Sequence, residues 1–170
     1  MNLLDKLKLK FFRNCNISDI YRKQGATIGQ GCEIYNSVLF GSEPYLITIG
    51  DNVRLTSGVK LITHDGGIWT LRKMGLLENA DIFGKIEIGD NTHIGMNSII
   101  MPNVKIGKNC IIGCGAVVTK DIPDNCIAVG VPAKVIKTID QYYEDHKEIV
   151  DFTKHMSYEE KKLYVLEKYK

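Results

Sequence analysis

The chain has 170 residues, 44% hydrophobic and 25% charged, enough for one domain with a core, with or without short appendages. A formal net charge of +2, with no basic stripe beyond the opening "DKLKLKFFR", argues against a nucleic-acid binder. Cys15, Cys32, Cys110, Cys114 and Cys126 form no C-x-x-C metal pair, which predicts reduced thiols in a cytoplasmic protein.

Residues 1–24 predict a short N-terminal helical segment. Lys6, Lys8 and Lys10 interrupt its apolar residues, so it lacks the continuous apolar run of a signal peptide or a membrane span. An amphipathic helix is expected there.

A six-residue rhythm then begins with "IGQGCE" from Ile28. It resumes as "IGDNVR" from Ile49, "LTSGVK" from Leu55 and "LITHDG" from Leu61. Between Phe40 and Ile49 the stretch "GSEPYL" (41–46) shifts the register by three residues, predicting a small outward loop. The rhythm stops at "LITHDGG" (61–67), where the next stressed position is Gly67. The segment 66–85 carries Trp69, Arg72, Lys73, Met74 and the pair Leu76–Leu77. A loop of that length in a compact repeat is expected to be functional or to cover a partner. The alternative is a solvated insertion, in which Trp69 and the leucines would be poorly placed.

From Ile88 the chain falls into "IGDNTH", "IGMNSI", "IMPNVK", "IGKNCI", "IGCGAV" and "VTKDIP". Ile88, Ile94, Ile100, Ile106, Ile112 and Val118 keep one phase. The fifth positions, Thr92, Ser98, Val104, Cys110 and Ala116, are small or modest. A period of six fits neither an amphipathic helix nor a half-buried strand. It predicts a solenoid of short strands and sharp corners, with the first and fifth residues inward and Gly or Asn at the corners. Coils then stack about 4.8 Å apart. Cys32 and Cys110 fall on inward fifth positions, which reads them as small core residues and not nucleophiles. Past Lys137, over 138–170, Ile139, Tyr142, Tyr143, Ile149 and Val150 recur at helical spacing, and Ser157-x-x-Glu160 forms a capping box. Two C-terminal helices are expected, carrying His146 and His155 as ordinary helix residues and packing on the solenoid or on a neighbouring subunit.

Over about residues 25–137 the chain resembles the hexapeptide-repeat acyltransferases, whose fold is an all-β solenoid, the left-handed parallel β-helix. "GSEPYLITIGDNV", "ITHDGG", "GAVVTKDIP" and "VGVPAKVIK" are similar to segments of the sugar O-acetyltransferases, including galactoside- and maltose-type enzymes and those of polysaccharide biosynthesis. The resemblance implies acetyl-CoA as acyl donor, a sugar or saccharide hydroxyl as acceptor, no metal, and a homotrimer with active sites between subunits. It also implies that His64 is the general base. Imidazole titrates in the range this proton transfer needs, and direct attack on a thioester requires no covalent enzyme intermediate. A corner histidine bonded to backbone is the plainer alternative.

Around His64 the candidate acceptor residues are Asn36, Glu43, Asp65 and His93. Asp65 could polarise the imidazole or cap the turn before Gly66–Gly67. Glu43 could orient the histidine or hold a sugar hydroxyl if loop 41–46 folds across. Asn36 falls near an acceptor-binding Asn of the family, and His93 stands where the family often has Trp. For the donor, Cys114 and Gly115 line an extended backbone wall. Thr119, Lys120, Lys134 and Lys137 match positions that contact coenzyme A, the lysines acting as point charges toward phosphate. A backbone N–H near Gly95 or Met96 is the candidate oxyanion donor.

Three other functions are compatible with parts of the sequence. A xenobiotic acetyltransferase of the same fold differs only in the acceptor pocket. A γ-carbonic-anhydrase-like hydratase needs three zinc-binding histidines, and the repeat region has only His64 and His93. A non-catalytic scaffold would not require His64, the long loop and the donor lysines together.

Overall fold

The computed structural model describes residues 17–170; the amphipathic opening and Cys15 lie outside the described residues. Helix α1 (Ile17–Lys23) leads into three strands, β1 (Thr27–Ile28), β2 (Glu33–Ile34) and β3 (Leu39–Phe40). A second circuit follows as β4 (Ile47–Ile49), β5 (Arg54–Leu55) and β6 (Lys60–Leu61). After helix α2 (Ile68–Lys73) comes a third, β7 (Ile86–Ile88), β8 (His93–Ile94) and β9 (Ile99–Ile100). The next is β10 (Val104–Ile106), β11 (Ile111–Ile112) and β12 (Val117–Val118), and then β13 (Cys126–Val129) and β14 (Lys134–Thr138).

As far as β12, every third strand is a neighbour. The sheets run β1-β4-β7-β10, β2-β5-β8-β11-β13-β14 and β3-β6-β9-β12. All pairings are parallel except β13–β14, which is antiparallel. The chain therefore visits three sheets in rotation, each circuit lying on the one before.

The six-residue period explains the interior. Ile94, Ile100, Ile106, Ile112 and Val118 are wholly buried, and Ile88 nearly so. The fifth positions Thr92, Ser98, Val104, Cys110 and Ala116 point the same way, each at most 2% exposed. Cys32 is only partly buried but packs on this core. Inward hydroxyls are satisfied across coils: Thr92 Oγ1 donates to the Gly107 carbonyl and Ser98 Oγ to that of Gly113, both at 2.9 Å. Among the described residues, no buried side-chain N or O lacks a partner, as close packing of polar groups requires.

The fourth position of each repeat makes the corner. Asn52, Asn91, Asn97, Asn103, Asn109 and Asn125 have φ between 54 and 60°, and Gly31, Gly58 and Gly115 take the same hand. Asn tolerates this left-handed backbone and Gly adopts it freely. Several of these asparagines also form a ladder: Asn52 donates to Asn91, Asn91 to Asn109, and Asn109 to Asn125.

The chain divides after Ile139 into two compact units. The C-terminal unit contains α4 (Tyr158–Lys168), whose capping box pairs Ser157 with Glu160 in both directions. Asp151 accepts from Tyr164 at 2.6 Å and from Lys168 at 2.7 Å. Helix α3 (Ile139–His146) is shorter than the expected pattern and excludes Ile149 and Val150. It ends before this β-branched pair, which loses rotamer freedom in a helix. His146 is a helix residue, its Nδ1 2.7 Å from the Tyr142 carbonyl. His155 is not, contrary to expectation: it lies in the turn before the Ser157 cap.

Ile100→Ala is expected to lower the unfolding free energy by about 2–5 kcal/mol through the cavity it leaves. Asn103→Val, forced into left-handed backbone, should cost about 1–2 kcal/mol that Asn103→Gly does not. Urea denaturation of the three variants measures both.

Candidate active site

β3 and β6 are adjacent in register, Phe40 opposite Leu61. The two interruptions of the repeat leave from these stacked strands, which brings residues 41–43 against 62–64. Beyond β6 the ladder continues one step, with the Ile62 N–H donating to Ile100 O at 2.9 Å. Strand alternation then turns Thr63 inward, where it is wholly buried.

The long excursion is closed at its root. Gly84 N–H donates to Thr63 O at 2.8 Å and Asp65 N–H to Ile82 O at 2.9 Å, so His64 and Phe83 form an antiparallel bridge. Inside the excursion lies α2, tethered by the buried Ile68. The predicted loop 66–85 is thus a clipped helical excursion. Trp69, Met74, Leu76, Leu77, Ile82 and Phe83 remain exposed on it.

At this root stands a carboxylate–imidazole pair. Glu43 Oε2 is 3.2 Å from His64 Nδ1 and accepts from Thr63 Oγ1 at 2.6 Å. The Glu43 side chain is 13% exposed and that of His64 41%. An ionised carboxylate only accepts hydrogen bonds, so this contact calls for the proton on Nδ1, which in the neutral ring leaves the lone pair on Nε2. The pair opens on a cavity of about 470 Å³ lined by Ser42, Glu43, His64, Asp65, Gly66, Trp69, Arg72, Asp81 and Phe83. Arg72 donates to the Ala80 carbonyl and to Asp81, and the Lys73 ammonium lies 5.8 Å from the Trp69 ring centroid.

Of the expected acceptor residues, the structure brings Glu43 and Asp65 to His64. Asp65 Oδ1 accepts from the Gly67 N–H at 2.8 Å, the turn-capping alternative. Asn36 sits exposed in the turn between β2 and β3, and neither it nor His93 is among the residues lining this cavity. His93 lies on β8 between Arg54 and Ile111. Burial pushes its imidazole pKa down, and the Arg54 cation adds to the effect.

The expected donor residues gather at the last circuit. Cys114 and Gly115 form the exposed turn between β11 and β12, with Gly115 at φ 69°. A Cβ on Gly95 would stand 2.6 Å from Cys114 N, so only glycine permits this approach. Thr119 and Lys120 follow β12, while Lys134 and Lys137 are on β14. The two segments are knitted together: Val117 N–H donates to Gly130 O at 3.0 Å and Ala133 N–H to Val117 O at 2.8 Å. Gly95 is set aside as oxyanion donor, because its N–H already donates to Ile112 O at 2.8 Å. Among the described residues, no three His, Cys, Asp or Glu side chains are grouped to hold a metal, and no helix is long and apolar enough to cross a membrane.

Thr63, Ser42, Asp81 and Phe83 were not anticipated. Thr63 was legible, because alternation from Leu61 turns it inward. Asp81 and Phe83 reach the cavity through the return of the excursion, which has no periodic signal.

The family model for the bacterial transferase hexapeptide (six repeats) matches residues 85–120. Protein CapG of Staphylococcus aureus is 48% identical over 169 residues, 98% of this chain and 97% of that protein. Galactoside O-acetyltransferase of Escherichia coli K12 is 39% identical over 135 residues, covering 75% of this chain and 64% of that protein. Among solved structures, a galactoside acetyltransferase in complex with coenzyme A is similar at 32% identity and a TM-score of 0.60, covering 75% of this chain and 72% of that one.

The depressed pKa of His93 makes a stability prediction. The unfolded chain binds its proton more readily, so the contribution is complete above the ordinary histidine pKa of about 6.5 and is lost as pH falls below it. His93→Gln should therefore flatten part of the stability loss between pH 7 and 5, measured by denaturant midpoints across that range.

Proposed function

The chain belongs to the bacterial hexapeptide-repeat transferase family, and from that premise we propose that it is an acetyl-CoA-dependent O-acetyltransferase acting on a hydroxyl of a sugar or saccharide. The observation that carries the reading is the imidazole on the cavity wall, its Nδ1 3.2 Å from Glu43 Oε2, which in the neutral ring leaves Nε2 to accept a proton. The galactoside acetyltransferases among its relatives, one of them with coenzyme A bound, support the donor and the acceptor class.

In this reading His64 Nε2 takes the acceptor hydroxyl proton as its oxygen attacks the thioester carbonyl. The tetrahedral intermediate collapses with cleavage of the C–S bond. The leaving sulfur receives the proton from the imidazolium, giving the acetyl ester and free coenzyme A. Glu43 orients the ring and stabilises the transient imidazolium. A backbone N–H at Met96 faces the oxyanion. Trp69 offers an apolar face to a sugar ring, with Ser42, Asp65, Arg72 and Asp81 as polar partners.

The three-sheet coil is a left-handed parallel β-helix, and the protein acts as a homotrimer in the cytoplasm. Neighbouring coils in the trimer bring Asn36 and His93 to the acceptor, and Cys114, Gly115, Thr119, Lys120, Lys134 and Lys137 to coenzyme A. The exposed apolar residues of the 66–85 excursion support a covering neighbour.

Coenzyme A release from acetyl-CoA is expected to depend on a sugar acceptor drawn from a panel, with mass spectrometry locating the added acetyl group. His64→Ala should lower kcat by about 10²–10⁴-fold while light scattering still reports a trimer. Near-normal turnover in that variant removes His64 as the base.

A further inference from the structure

Glu43 reaches His64 from the loop 41–46, just before a short 3₁₀ turn over Pro44–Leu46. Its Oε2 has two partners, and the shorter contact is to Thr63 Oγ1, 2.6 Å against 3.2 Å for His64 Nδ1. The Thr63 side chain is wholly buried, so its hydroxyl needs a protein acceptor, and an ionised carboxylate is a strong one. The neighbouring backbone is shaped around this contact. Gly41 N–H donates to Leu61 O at 2.8 Å, and a Cβ on Gly41 would stand 2.2 Å from Thr63 Oγ1 and 3.0 Å from Thr63 N. Glycine at 41 lets the segment 41–43 close over the hydroxyl.

We propose that Thr63 is a positioning residue for acyl transfer: its buried hydroxyl anchors Glu43 Oε2 and, through that oxygen, fixes the ring plane and Nδ1–H tautomer of His64. The proposal rests on His64 being the base. Other charged groups at the cavity have partners of their own: Asp65 accepts from the Gly67 N–H, and Arg72 pairs with Asp81. Glu43 Oε2 is thus shared between Thr63 and His64. Thr63 touches no substrate, and its effect falls on the transfer step and not on binding.

The test compares Thr63→Val, Thr63→Ser and Thr63→Ala in the full chain, with acetyl-CoA and the best acceptor from the panel. Thr63→Val keeps the shape and removes the donor. It should lower kcat by about 10–100-fold, the range expected for losing a hydrogen bond to a charged group, with KM for acetyl-CoA within about twofold. Thr63→Ser restores the donor and should recover kcat to within about threefold of the parent. Because Thr63 acts through Glu43, adding Thr63→Val to Glu43→Ala, which removes the acceptor, should cost little more than Glu43→Ala alone.

Normal kcat in Thr63→Val, while His64→Ala is inactive, overturns the positioning role and leaves the base intact. Normal turnover in His64→Ala overturns the base and the positioning role together. Should the Val variant fail to fold by circular dichroism, the comparison falls to Ser against Ala. Equal kcat in those two overturns the proposal, and a deficit confined to Ala supports it.

Discussion

Each circuit of this chain can be buried only against the next. A two- or three-residue strand is far too short to be stable alone, and its inward aliphatic residue is covered by its equivalents one coil above and below. Ile94, for example, has Leu55 and Ile112 as its neighbours in register. The constraint is therefore strict equivalence of position from coil to coil, and a left-handed corner in most repeats maintains it. Asparagine and glycine hold these corners because other residues would strain there, and the asparagine side chains bond along the same axis.

The same stacking builds the candidate site. Glu43 and His64 are 21 residues apart in sequence, one coil in space. Because β3 and β6 are in register, two interruptions that leave from them must emerge side by side. One carries the carboxylate and the other the imidazole. Phe83 closes the longer excursion against His64, so the imidazole is framed on one side by the regular ladder and on the other by the returning chain. The backbone position of His64 is thus built into the coil and not left to a free loop, a condition for preorganising a side chain.

Polar chemistry is placed differently at the end of the coil. There the antiparallel β14 covers β13, and the segment 130–133 hydrogen-bonds to Val117, so the last circuit does not expose a bare ladder of N–H and C=O groups. Of the residues expected to meet coenzyme A, Lys134 and Lys137 lie on these closing segments. Capping the stack and presenting lysines are done by one piece of chain.

The sequence by itself determined the coil. Its period, the inward first and fifth residues and the corner asparagines are local features repeated many times, and each repeat reports the same packing requirement. It also marked His64, because a repeat that breaks beside a titratable residue stands out against regularity. Only the tertiary structure decided what surrounds that histidine. That Glu43 bonds to it, that Asp65 caps its own turn, that Thr63 anchors the carboxylate, and that Asp81 and Phe83 return to the cavity all depend on where the two non-repeating segments travel. Those paths are set by side-chain packing and single hydrogen bonds between coils, which leave no periodic trace in the chain.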